Sequence, residues 1–303
     1  MIEDYLNATR ELKTRNQFNR VHIDLSRVMT PLQCAELIAA QRKGLLSEHA
    51  RGWVQVFLNL APGIEASPEP WVAEPVTESI TLHHHGNAEC EQHRKGLLIA
   101  FCGNSDLMGV PLPVFLQALP ARDWNVLHIL RHGRKRGAPR VDIAQAINEL
   151  LDELRAQIAR HQPSYLACVG MSSGGGMAMM VALRLEAQRC VSIGGAVFES
   201  WLDRLPELSG GRLPLRQVRD FSLPEYVFVY SEGSEIDKRQ AEIAQLLFKG
   251  HGMPIPGVRS HNCVHPIARR GLLRETLFSL LGGFTAEPAV IQSDPGASGQ
   301  VHG

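Results

Sequence analysis

Short apolar runs alternating with helical stretches predict an α/β fold, a mostly parallel sheet covered on both faces by helices. Three observations carry that prediction. The runs 96–102, 125–130, 165–169, 190–194 and 226–230 are almost continuously apolar, as strands buried on both faces are. Segments 114–119, 141–160, 175–184 and 236–248 show helical spacing between and after them. The third observation is a junction: Tyr165 opens a strand that runs into Gly170-Met171-Ser172-Ser173-Gly174 and then a helix of small residues.

The remaining elements fall into order around this frame. Helical spacing covers 2–15 and 30–46, the second opened by Thr30 as N-cap and Pro31 in the first turn. Segments 53–60 and 78–83 read as strands separated by a proline-rich loop at 62–75. They form either a hairpin that starts the main sheet or part of a small N-terminal layer. Residues 1–95 are therefore read as an N-terminal helical and strand extension, or as the first strands of the main domain. Residues 96–284 form the core. Towards its end, 255–259 reads as a short last strand and 261–281 as helical with a break at Gly271. The tail 285–303, rich in Gly, Ser, Pro and Ala, is expected to be disordered.

Composition narrows the function classes. At 303 residues, 44% hydrophobic and 20% charged, the chain has material for a sizeable core. Lys and Arg together number 31, as do Asp and Glu, so no general attraction to nucleic acid or anionic membrane follows. The basic run at 131–140 reads as a solvated loop. No run reaches the eighteen or so apolar residues of a membrane span, and no secretory leader is evident. Six scattered cysteines, three in strand-like runs, suit a reduced, cytoplasmic protein and not a disulfide framework. Self-association into a homo-oligomer is left open.

Gly-x-Ser-x-Gly between a strand and a helix is the pattern of a nucleophile elbow. The serine sits on a strained turn, and the helix N-terminus offers free N–H groups to a developing oxyanion. A merely flexible Gly174-Gly175-Gly176 turn is the bland alternative. A phosphate loop is disfavoured because no lysine follows the glycines. A serine hydroxyl needs a base and an acid that orients it. Acidic candidates follow the 226–230 strand at Glu232, Glu235 and Asp237; histidines follow the last strand at His261 and His265.

With Gly170 to Gly174, the strand–helix order and these later acid and histidine positions, residues about 95–284 resemble the α/β-hydrolase superfamily. The resemblance implies a Ser-acid-His triad acting on esters, thioesters or amides. Ser172 is then the nucleophile, and the family layout favours Asp237 as acid, with Glu232 and Glu235 as rivals. His261 is preferred as base because it follows the strand end, with His265 as rival. The His-Gly-Gly-Gly motif of many lipases is missing. Phe101-Cys102-Gly103-Asn104-Ser105 stands in its place, so Gly103 or Asn104 joins Ser173 N–H as the expected oxyanion donors. Segment 199–223 is too short for a large lid domain.

The activity this implies is cleavage of a small acyl substrate, an ester or thioester, with no cofactor. An acyltransferase with the same triad, or an inactive binding scaffold, are the alternatives. Two further features are weighed and set aside. His83-His84-His85 with Cys90 and His93 lacks the paired spacing of a zinc site, so no metal is expected. Met171, Met177, Met179 and Met180 form a soft apolar wall, either core packing or an acyl-chain pocket.

Overall fold

Alternate residues of the central strands pack on opposite sides of one sheet, and this pattern organises the computed structural model. It describes residues 1–87, 95–130, 143–195, 205–208 and 224–283. The basic run 131–140, Cys90, His93, most of 199–223 and the tail 285–303 lie outside the described residues.

Four helices come first: α1 (Ile2–Thr9), α2 (Arg15–Ser26), α3 (Pro31–Arg42) and α4 (Glu48–Leu60). Two begin with reciprocal capping boxes. Thr14 and Thr30 accept from the Gln17 and Gln33 backbone N–H groups, and those glutamine side chains accept from the threonine N–H groups in return. The sheet strands follow as β1 (Trp71–Pro75), β2 (Ile80–His85), β3 (Gly96–Phe101), β4 (Trp124–Ile129), β5 (Tyr165–Met171), β6 (Arg189–Ile193), β7 (Glu225–Ser231) and β8 (His251–Ile255). Between and after them lie α5 (Leu112–Gln117), α6 (Ile143–His161), α7 (Ser173–Leu185), α8 (Leu205–Leu208), α9 (Glu235–Phe248), α10 (Val264–Arg269) and α11 (Leu273–Leu280).

The eight strands form one sheet in the order β1-β2-β4-β3-β5-β6-β7-β8. From β4 to β8 every neighbouring pair is parallel; β1–β2 and β2–β4 are antiparallel. Leu97, Ile99, Phe101, Cys168 and Phe228 face a layer containing Ile147, Leu151, Ala178 and Ala244 of α6, α7 and α9. Leu98, Ala100, Val169, Val191 and Val229 face the other way, onto α1, α3, α4, α5, α10 and α11. The N-terminal helices thus share one core with the C-terminal ones. The fold class expected from the sequence is the one observed.

Several element expectations need correction. Segment 53–60 is not a strand but the end of α4. Its buried residues Ala50, Val54, Phe57 and Leu60 recur at helical spacing, and Trp53 Nε1–H donates to Ser26 Oγ at 2.9 Å. The helical stretch 2–15 breaks after Thr9, and Arg15 instead opens α2, which had no place in the expected order. The loop 62–75 contains edge strand β1, hidden because Pro75 closes it and only Trp71 is deeply buried. The last strand is 251–255 and not 255–259. Gly252 and Pro254 interrupt it, and its outer position leaves four of five residues at least partly exposed, so no apolar pattern marks it. The break expected at Gly271 is present, with φ +72° there, and separates α10 from α11; the first piece starts at Val264 and not at 261.

Candidate active site

Ser172 sits between β5 and α7 with φ 54° and ψ −123°, a region L-residues seldom occupy. Holding it there costs on the order of 1–3 kcal/mol, and the surroundings enforce it. Its N–H donates to the Ile193 carbonyl at 2.8 Å, and its own carbonyl accepts from Gly175 N–H at 2.8 Å. Close packing explains the flanking glycines. A Cβ on Gly170 would lie 2.2 Å from the Gly174 carbonyl oxygen, and one on Gly174 would lie 2.5 Å from the carbonyls of Phe101 and Cys102. Strand β5, helix α7 and the end of β3 meet only because both residues lack a side chain.

A helix start and a loop bring the partners. His261 Nε2 lies 2.8 Å from Ser172 Oγ, and its Nδ1 lies 2.8 Å from Asp237 Oδ1. A carboxylate only accepts, so Nδ1 carries the proton and Nε2 is left to accept from the serine hydroxyl. Asp237 is 3% exposed and occupies the third position of α9. Ser234, the N-cap, accepts from the Asp237 N–H, and the helix N-terminus favours the negative charge. The other oxygen, Oδ2, is buried without a hydrogen-bond partner among the described residues. His261 is the carboxylate's polar contact there.

The rival residues stand elsewhere. Glu232 is exposed and its Oε2 accepts from Gly257 N–H at 3.1 Å. Glu235 is exposed at the first position of α9. His265 is on α10, where its N–H donates to Asn262 Oδ1 at 3.2 Å; partial burial, then Arg269, lower its pKa from 6.5. Because β8 ends at Ile255, His261 comes six residues after the strand, on a loop and not directly at its end.

The expected oxyanion donors divide. As first residue of α7, Ser173 has an N–H with no acceptor inside the helix. Gly103 N–H instead donates to the Leu107 carbonyl at 3.1 Å, closing its own loop, so it is not aimed at substrate. Gly103 matters for approach: a Cβ there would sit 3.0 Å from the Met171 carbonyl and 3.3 Å from Ser172 Cβ. Asn104 is next in the chain, and its Oδ1 accepts from Ser173 Oγ–H at 2.7 Å. The two candidate donor residues are therefore tied to each other.

Three contacts at this site had no counterpart in the sequence reading. Asn262 Nδ2–H donates to the Gly109 carbonyl at 2.6 Å, joining the histidine loop to the 103–110 loop. Arg27, at the end of α2, donates from Nε to the Ser105 carbonyl at 3.0 Å. Cys102 Sγ lies 2.9 Å from His128 Nε2, both buried. Burial lifts the Cys102 thiol and lowers His128 to about 4, so this is a neutral thiol–imidazole pair and not a nucleophilic thiolate. An asparagine directly after the expected base was a readable signal, since short amides brace loops. Nothing marked Arg27 or His128.

The histidine run lies on β2. His83 is fully buried, with both ring nitrogens unpartnered among the described residues and its pKa lowered to about 3 by burial, then by His128 and His84. Among the described residues no group of three or more His, Cys, Asp or Glu side chains could hold a metal. Of the four wall methionines, Met171, Met179 and Met180 are buried in the core and Met177 is half-buried. A cavity of about 650 Å³ lies at the other end of the sheet, against Trp124 at the start of β4, with Arg274, Phe278 and Leu281 of the C-terminal region. It contains none of Ser172, Asp237 and His261.

An eight-stranded, mostly parallel sheet with a strained serine at the carboxyl end of β5 is an α/β-hydrolase fold. No family model matches the chain, and no curated protein matches it. Among solved structures it is similar to an α/β serine hydrolase without lid from Xanthomonas campestris, at 18% identity and TM-score 0.44, over 71% of this chain and 97% of that one. It is also similar to carboxyl esterase 2 from Tuber melanosporum, at 11% identity and TM-score 0.47, over 70% and 85%. A third is esterase B from Lactobacillus rhamnosis, inhibited by a phosphonate, at 14% identity and TM-score 0.44, over 80% and 98%. These are distant likenesses. What the chain does has to be read from its own geometry.

Proposed function

We propose that this chain is a serine hydrolase that cleaves a carboxylic ester or thioester through an acyl-enzyme on Ser172. The observation that carries the reading is the unbroken relay from Ser172 Oγ through His261 to the buried Asp237, with both links at 2.8 Å. The Ser172 hydroxyl attacks the acyl carbon while His261 Nε2 takes its proton. Asp237 holds the imidazole in that tautomer and stabilises the imidazolium that forms. Ser173 N–H, with a backbone donor from the Asn104 turn, stabilises the oxyanion. The protonated His261 returns its proton to the leaving alcohol or thiol; water, activated by the same histidine, then releases the acid. This chemistry calls for no cofactor.

Among the described residues no helix is long and apolar enough to cross a membrane. The five described cysteines, Cys34, Cys102, Cys168, Cys190 and Cys263, are all free and buried, which supports a reducing, cytoplasmic setting. An acyltransferase would use the same residues and differ only in the acceptor, so labelling alone does not separate the two.

The test is a fluorophosphonate probe on the purified chain. Wild type and Ser173→Ala should label, and Ser172→Ala should not. Labelling of Ser172→Ala at undiminished rate would remove the assignment. Turnover of short-chain p-nitrophenyl esters and thioesters, with and without added alcohol or amine acceptors, then reports whether water is the preferred acceptor.

A further inference from the structure

The loop that carries Asn104 is built differently from the elbow it faces. Residues 103–107 close on themselves through Gly103 N–H to the Leu107 carbonyl and Asp106 N–H to the Gly103 carbonyl. Asp106 adopts φ 55°, an unfavourable left-handed conformation for a residue with a Cβ. Such a conformation persists only when neighbours over-determine it. One of those neighbours is far away in the chain. Arg27 Nε–H donates to the Ser105 carbonyl at 3.0 Å, its Nη2 lies 3.9 Å from Asp106 Oδ2, and its Nη1 donates to Asp24 Oδ1 at 3.0 Å.

Arg27 is itself firmly placed. It follows the last residue of α2, where a cation suits the helix C-terminus. Helix α2 is locked to its neighbours by an aromatic cluster in which Tyr5, His22 and Trp53 pack pairwise, with ring centroids 5.9 Å apart for Tyr5–His22, 4.3 Å for His22–Trp53 and 5.9 Å for Tyr5–Trp53. Tyr5 Oη and His22 Nε2 are hydrogen-bonded at 3.0 Å, and Trp53 Nε1–H donates to Ser26 Oγ at the end of the helix. The guanidinium, planar and fork-like, therefore connects a rigid helix end to a strained loop.

We infer that Arg27 is a positioning residue for the oxyanion loop, so that the N-terminal helices are a working part of the active site. This rests on the proposed hydrolase reading, because the loop matters only if an oxyanion forms beside it. Arg27 does not touch the reacting atoms; it fixes the turn that carries Asn104, whose Oδ1 accepts from Ser173 Oγ–H at 2.7 Å. Losing it should weaken transition-state stabilisation more than ground-state binding.

The experiment compares Arg27→Ala, Arg27→Lys and the same-helix control Arg20→Ala on a p-nitrophenyl ester. Removing an oxyanion donor costs about 10²–10³ in kcat, and displacing one should cost somewhat less. Arg27→Ala should lower kcat about 10- to 100-fold with KM changed less than about threefold. The Ki of a trifluoromethyl ketone, whose hemiketal mimics the oxyanion, should rise by a similar factor. Arg27→Lys should recover part of the loss and Arg20→Ala should match wild type. Hydrogen exchange of amides 103–107 should quicken in Arg27→Ala, a readout independent of turnover. Unchanged kcat with unchanged exchange would overturn the inference. So would a loss of activity that tracks only the unfolded fraction, with the trifluoromethyl ketone Ki unmoved. Absence of phosphonate labelling at Ser172 in wild type would sink the hydrolase reading instead, while the exchange measurement still decides whether Arg27 holds the loop.

Discussion

The elbow around Ser172 and the loop at 103–107 face each other across the site, yet they are held by different means. The elbow is fixed by backbone: two glycines whose missing side chains let carbonyls approach, and hydrogen bonds from Ser172 to β6 and to its own helix. The loop closes its own turn with two backbone hydrogen bonds, but it is tied to the rest of the molecule by side chains borrowed from elsewhere. Arg27 comes from α2, Ser173 from α7, Asn262 from the histidine loop, and His128 from β4 through Cys102. Backbone-fixed geometry tolerates almost no substitution but also does not titrate. Geometry fixed by side chains can be weakened one contact at a time.

The largest effect separates the two histidines that compete for the base. His261→Ala removes the link common to Ser172 and Asp237 and should lower kcat by about 10⁴-fold or more. His265→Ala, on a helix and without contact to either, should stay within about tenfold of wild type. Both are measured on one ester, with folding checked by circular dichroism. An inactive His265→Ala beside an active His261→Ala would mean that the observed relay is not the working one.

A second effect tests the backbone-fixed side. Gly170→Ala places a methyl 2.2 Å from a carbonyl oxygen that cannot move without displacing α7. Overpacking of this kind costs about 3 kcal/mol, which in a domain of this size lowers Tm by roughly 5 °C. Ser105→Ala in the opposite loop should leave Tm within about 1 °C, because Ser105 is exposed and its carbonyl, not its side chain, meets Arg27. Equal thermal shifts for the two would erase the distinction between the regions.

The same distinction explains what could be read in advance. Strand–serine–helix geometry is local, so the strained turn at Gly170 to Gly174 could be read from the sequence, and chain order was enough to name Asp237 and His261 as the proposed acid and base. The loop's supports are separated from it by 26 to 153 residues, 78 in the case of Arg27, and no periodicity records such pairings. The misread elements share a cause. The 53–60 run is rich in β-branched and aromatic residues and looks like a strand, but packing of Val54, Phe57 and Leu60 decides for a helix. The edge strands β1 and β8 lack the apolar pattern because they are only partly covered.

Acid should reach the loop's supports before it reaches the elbow. His128, beneath Cys102, has its pKa lowered by burial to about 4, and His22 in the α1–α2–α4 stack is lowered to about 4 by burial and then by His49. A histidine whose folded pKa is depressed binds more protons when unfolded, so stability rises with pH across the interval between the two values. The contribution is complete above pH 6.5 and is lost as pH falls from 6.5 towards about 4, each unit of depression being worth about 1.4 kcal/mol. Tm measured from pH 7.5 to 4.5 should therefore fall over that window, and the slope should be shallower in His22→Phe. A Tm flat across the window would show that these imidazoles are not buried as neutral groups.

The smallest effect sharpens the comparison most, because it touches both regions at once. Ser173 supplies the elbow's first helical N–H from its backbone and the loop's brace from its side chain, through Oγ–H to Asn104 Oδ1. Ser173→Ala deletes the second role and keeps the first. A neutral, partly exposed hydrogen bond contributes about 0.5–1.5 kcal/mol, so kcat should drop about two- to tenfold while phosphonate labelling at Ser172 persists. If the loop is held by Arg27 and Ser173 together, the double variant Arg27→Ala, Ser173→Ala should differ from the product of the single effects, since both residues act on one turn. Strict multiplicativity would mean that the two contacts act on separate parts of the site. A Ser173→Ala protein that neither labels nor turns over would mean that the side chain, and not the backbone donor, is what the elbow needs from residue 173.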